Sequence, residues 1–191
     1  MNNANYYEKV SVLEALKKGG LDIKLSALLM GFANLANKQI IKGLLFLLAE
    51  ILFLITFVLQ VIPSLHGLMT LGTQKAGEVV DPETGITITV SGDNSFLFLL
   101  FGLAALIFCA VFAYVYWCNL KSARNLYVIK TEGLDVPSFK EDLSSLFNSR
   151  FHMTMMAVPL LGVLVFTDLP LILTICLAFT NADKDHFPPG N

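Results

Sequence analysis

Gly43 to Ile62 reads GLLFLLAEILFLITFVLQVI, 20 residues in which Glu50 is the one charge. A helix of that length rises about 30 Å, which matches the hydrocarbon core of a bilayer. Fifteen of these residues are Leu, Ile, Val or Phe. At roughly −0.4 kcal/mol each they sum to about −6 kcal/mol, against a few kcal/mol unfavourable for one carboxylate. The apolar contribution wins, and the sequence predicts a membrane span that tolerates Glu50.

Two further apolar stretches lie downstream. Phe96 to Trp117 reads FLFLLFGLAALIFCAVFAYVYW and carries no charge. Tyr114, Tyr116 and Trp117 close it, and such rings favour the membrane–water interface. Gly102, Ala105, Cys109 and Ala113 recur at spacings of three and four, which predicts a face that another helix can approach closely. Met153 to Phe179 is longer and interrupted by Pro159, Gly162, Asp168 and Pro170. Proline removes a backbone donor and kinks a helix, and freed carbonyls in lipid need partners, so this segment is expected inside a bundle. The predicted fold class is an all-α integral membrane protein with three transmembrane helices, at 43–62, 96–118 and 153–179.

Composition agrees with that reading. Of 191 residues, 55% are hydrophobic and 15% charged, and the mean hydropathy is +0.67. A soluble domain is about half apolar and a quarter charged. The formal net charge of −2 offers no basic excess for nucleic acid. Residues 1–42 carry six lysines and no long apolar run, so no cleavable signal peptide is expected and the first span stays as an anchor.

The cations also give an orientation. Besides the six lysines of 1–42, residues 119–152 carry Lys121, Arg124, Lys130, Lys140 and Arg150, whereas 63–95 has Lys75 alone and 180–191 Lys184 alone. Short cytoplasmic connections hold the Lys/Arg excess. The N-terminus is therefore expected on the cytoplasmic side of the cell membrane, with 63–95 and the 180–191 tail outside.

The connections have patterns of their own. Tyr6 to Lys18 is a helix candidate stopped by Gly19-Gly20. Leu21 to Ile41 spaces Leu21, Leu25, Leu28, Leu29, Phe32 and Leu35 nearly as one amphipathic helix, with Lys24, Ser26, Asn34, Asn37 and Lys38 as its polar members. It is expected either in the cytoplasmic interface plane or buried against a partner subunit. In the outer loop, Glu78–Val80 and Ile86–Val90 flank Asp81-Pro82-Glu83-Thr84-Gly85, the pattern of a small β-hairpin. In the inner loop, Ser138 and Glu141 form a capping box ahead of Leu143, Leu146 and Phe147. That predicts a short helix running toward Arg150.

Chemistry is sparse. His66, His152 and His186 fall on different sides of the predicted topology, and no phosphate loop, nucleophile elbow or zinc motif occurs. Cys109, Cys118 and Cys176 lack metal spacing and are expected to pack as small apolar residues. No catalytic, cofactor or metal residue is expected. Glu50 and Asp168 are the two intramembrane carboxylates. They sit at different depths, and each is expected to hydrogen-bond within the bundle or to line a substrate path.

Several stretches also resemble a known family. They are Ile40-Ile41-Lys42-Gly43-Leu44-Leu45-Phe46 with Glu50-Ile51, then Leu71-Gly72-Thr73-Gln74, Gly92-Asp93-Asn94-Ser95 and Lys121-Ser122-Ala123. Phe139 to Leu143, Ser149 to His152, Phe166-Thr167 with Leu169-Pro170-Leu171, Ala178 to Asn181 and Pro188 to Asn191 continue the match. Together they resemble the N-terminal portion of MalF-type permease subunits of maltose and maltodextrin ABC importers, in the form with a short first outer loop. The resemblance implies a second permease subunit, nucleotide-binding ATPase subunits and an extracellular sugar-binding lipoprotein as partners. The family's cytoplasmic coupling loop and sugar-lining helices have no counterpart among these residues, and Asp168 stands where the family pattern is apolar. The expectation is a truncated or split permease, not transport-competent alone. The competing reading is a small free-standing membrane protein that acts as an assembly or regulatory partner.

Overall fold

The computed structural model describes residues 10–74, 77–83, 85–90, 92–138, 140–141, 144, 155–156, 159–160 and 162–179. The expected start of the first helix at Tyr6, the apolar stripe Leu143–Phe147 and the tail 180–191 lie outside these residues, as do His152 and His186.

Helix α1 spans Val12–Lys18. Ser11 caps it, its Oγ accepting from the Glu14 amide at 3.1 Å, and Gly19 ends it. The expected helix over Leu21 to Ile41 is not one helix. It is two short ones, α2 at Leu21–Leu25 and α3 at Phe32–Ala36, joined by turns. The break is backbone chemistry. Gly31 sits at φ 81° and Lys38 at φ 64°, the left-handed region that a continuous helix excludes. A Cβ on Gly31 would come within 2.2 Å of the Gly43 carbonyl oxygen, so only glycine allows this approach.

Helix α4 runs from Ile40 to Thr70, 31 residues, and so overshoots the 43–62 span at both ends. Pro63 does not stop it. Phe57–Val61 adopts a π-helical turn immediately ahead, and α-helix resumes at Ile62 with the proline near its start. The looser turn absorbs the missing donor and the ring. Helix α5 covers Ser95–Thr131, 37 residues. At 1.5 Å per residue that is about 55 Å, well beyond one hydrocarbon thickness. Lys121, Arg124 and Lys130, read as the start of a connection, are therefore still helical. Leu164–Asp168 is a second π turn, followed by α6 at Leu169–Leu177, and Pro170 stands in the same register to its π turn as Pro63 does.

Among the described residues α4 and α5 are the two helices long and apolar enough to cross a membrane. Their apolar windows are only 6% and 17% buried within the chain. The core helix of a soluble protein would be mostly covered, so these surfaces face another apolar medium.

The hairpin forms as expected. Strand β1 (Gly77–Val80) pairs antiparallel with β2 (Thr87–Val90), with Val79 opposite Ile88. Gly85, at φ 68°, closes the turn by donating to the Asp81 carbonyl at 2.8 Å.

The chain divides into two compact units, and α4 and α5 contribute a stretch to each. The first holds the described residues up to Ile55 and from Ala110 to Met156. Its core is Ile23, Ala33, Ala123 and Leu126, with Leu16, Tyr127 and Val136 against it. Phe53 of α4 stacks on Phe112 of α5, ring centres 3.5 Å apart and 5° from parallel. The second unit holds Thr56–Cys109 and the residues after Met156. Here the helices meet through glycine: a Cβ on Gly102 would lie 2.4 Å from Leu68 Cβ, and one on Gly67 would lie 2.5 Å from Phe98 Cδ1. Gly102 and the buried Ala105 thus belong to the close-packing face that the spacing predicted, whereas Cys109 is half-buried and Ala113 exposed, so the face does not extend to Ala113.

Candidate functional site

In the first unit the densest chemistry is a buried polar network that fixes the segment before α4. Two successive backbone amides are taken by side chains of the two long helices. The Met30 N–H donates to Glu50 Oε2 at 2.9 Å, and the Gly31 N–H donates to Asn119 Oδ1 at 2.8 Å. Gly31 has no side chain to interpose, and its left-handed backbone turns its amide away from the helical direction.

Asn119 uses both ends of its amide. Its Nδ2 donates to the Ser26 carbonyl at 2.8 Å, and its Oδ1 accepts from Ser26 Oγ at 3.3 Å. One turn on, Ser122 Oγ accepts from Asn34 Nδ2 at 2.9 Å, and that same nitrogen donates to Gln39 Oε1 at 2.7 Å. Gln39 Nε2 then reaches the Pro137 carbonyl at 2.7 Å. Ser26, Asn34, Gln39, Asn119 and Ser122 are all buried, and among the described residues every buried side-chain N or O has a partner. Tyr116 adds a bond from its hydroxyl to the Ala27 carbonyl at 2.8 Å.

The rim of this unit carries an ion pair, Lys130 Nζ to Asp22 Oδ2 at 2.6 Å, and Asn37 Nδ2 donates to the same oxygen at 3.2 Å. Burial by itself would raise the Asp22 carboxyl. The Lys130 ammonium, the Asn37 amide and the Ile23 N–H outweigh it and hold Asp22 below its ordinary value of 3.8.

The network contains no base poised against a nucleophile and no cluster of ligands. What it does is hold two amides and three side-chain amides in one register, the arrangement of a joint. Glu50 is a carboxylate on a membrane-length helix, and its structural partner is the backbone of Met30.

In the second unit Asp168 lies at the end of the π turn. It lines a cleft of about 290 Å³ with Ile107, Leu164, Leu169, Leu171 and Ile172, apolar but for the one carboxylate. Glu50 and Asp168 fall in separate units. Asp93 Oδ2 accepts the Thr73 and Gln74 amides at 2.8 and 3.0 Å, and Ser95 Oγ donates to the Leu71 carbonyl. The two stretches 71–74 and 92–95, far apart on either side of the hairpin, thereby clasp its base. Those backbone donors, Gln74 first, hold the Asp93 carboxyl below 3.8. The capping box also forms: the Ser138 amide donates to Glu141 Oε2 at 2.7 Å and the Glu141 amide to Ser138 Oγ at 3.4 Å.

His66 is exposed on α4, the three cysteines are reduced, and among the described residues no three His, Cys, Asp or Glu side chains gather as a metal site. Sequence reasoning missed Ser26, Asn34, Gln39, Asn119 and Ser122 as a network. The available signal was the spacing Asn119, Ser122, Ala123, Leu126, a small and polar stripe at helical period beyond the apolar run.

Two apolar helices of membrane length, with surfaces mostly uncovered within the chain, are the pattern of a membrane protein. The chain is 30% identical over 167 residues to the maltodextrin transport system permease protein MalC of Streptococcus pneumoniae, covering 87% of this chain and 35% of MalC. It is 30% identical over 168 residues to the maltodextrin transport system permease protein MdxF of Bacillus subtilis, covering 87% of this chain and 35% of MdxF. The galactooligosaccharides transport system permease protein GanP of Bacillus subtilis is 29% identical over 167 residues, 87% of this chain and 36% of GanP. The resemblance to the permease subunits of maltodextrin-type ABC importers is thus borne out, and the chain spans about a third of the length of the curated relatives it matches. No family model matches the chain, and no solved structure matches it.

Proposed function

We propose that these residues are the N-terminal, three-span portion of the permease subunit of a binding-protein-dependent ABC importer for maltodextrin-type sugars. The observation that carries this reading is the similarity to MalC and MdxF across 87% of the chain. In this reading 43–62, 96–118 and 153–179 cross the cell membrane, and 1–42 and 119–152 lie in the cytoplasm. The outer loop 63–95 carries the hairpin. The cation distribution supports that orientation.

The partners are a second permease subunit, ATPase subunits that hydrolyse the nucleotide, and an extracellular sugar-binding lipoprotein. The permease itself performs no catalysis. Glu50 serves the joint at Met30, and Asp168 sits toward the bundle interior with its kinked helix. These residues precede the coupling loop of the family and do not transport sugar by themselves.

The test is uptake of labelled maltotriose in a strain deleted for its own MalF-type permease but retaining the other subunits. Expression of residues 1–191 alone is expected to leave uptake at background, and expression joined to the remaining two thirds of MalC is expected to restore it. Restoration by residues 1–191 alone overturns the claim of incompleteness. Failure of the joined protein, when it inserts and co-purifies with the ATPase, overturns the assignment.

A further inference from the structure

The segment Val12–Met30 has two faces, and the polar joint uses only one. Ala15, Ile23, Ser26 and Met30 turn inward and are buried. Leu13, Leu21 and Leu28 turn outward at 69%, 77% and 73% exposure, with Leu25 and Leu29 also exposed. These leucines stay exposed after the segment has closed its own core, and exposed apolar surface of this kind marks interaction sites.

Its charges are arranged to one sign. Glu14 is held by Lys18 at 2.7 Å and Asp22 by Lys130 at 2.6 Å, so both acids are neutralised within the chain. Lys17 and Lys24 are exposed among the leucines. The close approach of Gly31 to Gly43 sets this surface beside the first turns of α4, where Ile40, Ile41, Leu44 and Leu45 are exposed. Protein interfaces are enriched in Tyr, Trp and Arg and depleted in Lys. Leucines beside lysines are instead the composition of a surface that lies on a bilayer.

We propose that Leu13, Leu21, Leu25, Leu28 and Leu29, with Lys17 and Lys24, form a foot seated in the headgroup–acyl boundary of an anionic phospholipid leaflet, the one through which α4 enters. The leucines bury into the boundary while the lysines meet lipid phosphates. The polar joint then fixes the foot to α4 and α5, so that the depth of the helices and the seating of the foot are set together. The proposal rests on α4 being a membrane span, and its test separates the two claims.

The full chain carrying Trp117→Phe receives one tryptophan, by Leu28→Trp on the foot or by Leu45→Trp on α4. Each is reconstituted into phosphatidylcholine vesicles, with and without phosphatidylglycerol, whose acyl chains are brominated near the glycerol. Quenching of both tryptophans is expected, with the Leu28→Trp signal quenched more when phosphatidylglycerol is present. The pair Lys17→Gln and Lys24→Gln is expected to remove that increment and leave the Leu45→Trp signal unchanged. Quenching at Leu45→Trp but not at Leu28→Trp overturns the foot and leaves the span standing, as does shielding of Leu28→Trp by a protein that co-purifies from the native membrane. Quenching at neither position overturns the span itself. Quenching at Leu28→Trp that ignores phosphatidylglycerol overturns the role of the lysines.

Discussion

The two units hold the same pair of helices together by opposite means. In the first, the segment ahead of α4 is fastened by amides and hydroxyls that are all buried and all paired: Ser26, Asn34, Gln39, Asn119 and Ser122. In the second, α4 and α5 meet where Gly67 receives Phe98 and Gly102 receives Leu68. Hydrogen bonds specify one register, because a slipped pairing strands buried donors and acceptors. Close packing through glycine has no such partners to lose, and steric volume is its only discriminator. The first unit is therefore sensitive to loss of one atom's partner as well as to a methyl at Gly31, whereas the contacts of the second are sensitive to gain of one methyl alone.

Asn119→Leu should break that comparison most visibly. It removes three bonds and leaves the Gly31 N–H, the Ser26 carbonyl and the Ser26 hydroxyl buried without partners. At about 1–3 kcal/mol for each of the three stranded groups, a loss of about 3–9 kcal/mol is expected, read as thermal unfolding in detergent micelles. A loss below about 1 kcal/mol would mean that the segment is held by its apolar contacts instead. Gly102→Val is the counterpart. Its added carbons meet Leu68, and overpacking costs about 1–3 kcal/mol, which Leu68→Ala should partly relieve. Relief of Asn119→Leu by the same Leu68→Ala change would show that the two units are not energetically separate.

Glu50 sharpens the first side of the comparison. Glu50→Ala strands the Met30 amide and is expected to cost about 1–3 kcal/mol. Glu50→Gln keeps an oxygen acceptor at the same place and should cost less. If Glu50→Gln were as harmful as Glu50→Ala in a sugar-uptake assay of the assembled transporter while leaving stability intact, the charge itself would have a role on the substrate path. Equal and small effects of both variants would reduce Glu50 to a tolerated carboxylate.

What the sequence disclosed follows the same division. The first two apolar runs, the hairpin, the capping box and the Gly102–Ala105 part of the small-residue face were legible because each is a local pattern, complete within a few turns. The joint was not. Ser26 and Asn34 read only as polar members of the Leu21–Ile41 repeat, yet their partners are Asn119 and Ser122, some 90 residues away. Nothing in the spacing of leucines separates one amphipathic helix from two short helices hinged at Gly31, since Leu21, Leu25, Leu28 and Leu29 turn outward in the short helices and turns as they would on one continuous face. The expected spans 43–62 and 96–118 end shortly before Pro63 and Lys121. The π turn at Phe57–Val61 carries α4 past the first, and α5 runs past the second because Ala123 and Leu126 are buried in the first unit's core and Asn119 and Ser122 in its polar network. Of the two carboxylates expected within spans, Glu50 could be singled out from its cost in lipid, but its partner is a backbone amide and carries no sequence signature.

The smallest effect expected separates the ties that use charge. Asp22 in the first unit and Asp93 in the second both lie below the ordinary 3.8, so each contributes stability that is complete above that value and is lost as the pH falls through the folded value. Their causes differ, and so should their responses. Burial pushes Asp22 up, and Lys130 is what brings it down. Lys130→Met should therefore shift the Asp22 midpoint upward, moving the loss of its tie to higher pH, at a neutral-pH cost under about 1 kcal/mol for a partly exposed pair. Asp93 is held by the Gln74 and Thr73 amides, which do not titrate, and its midpoint should stay where it is in Lys130→Met. Carboxyl-carbon resonances followed by NMR through an acid titration read both groups in one sample. A parallel shift at Asp93 would place the two carboxylates in one field and remove the independence on which the contrast between the units depends.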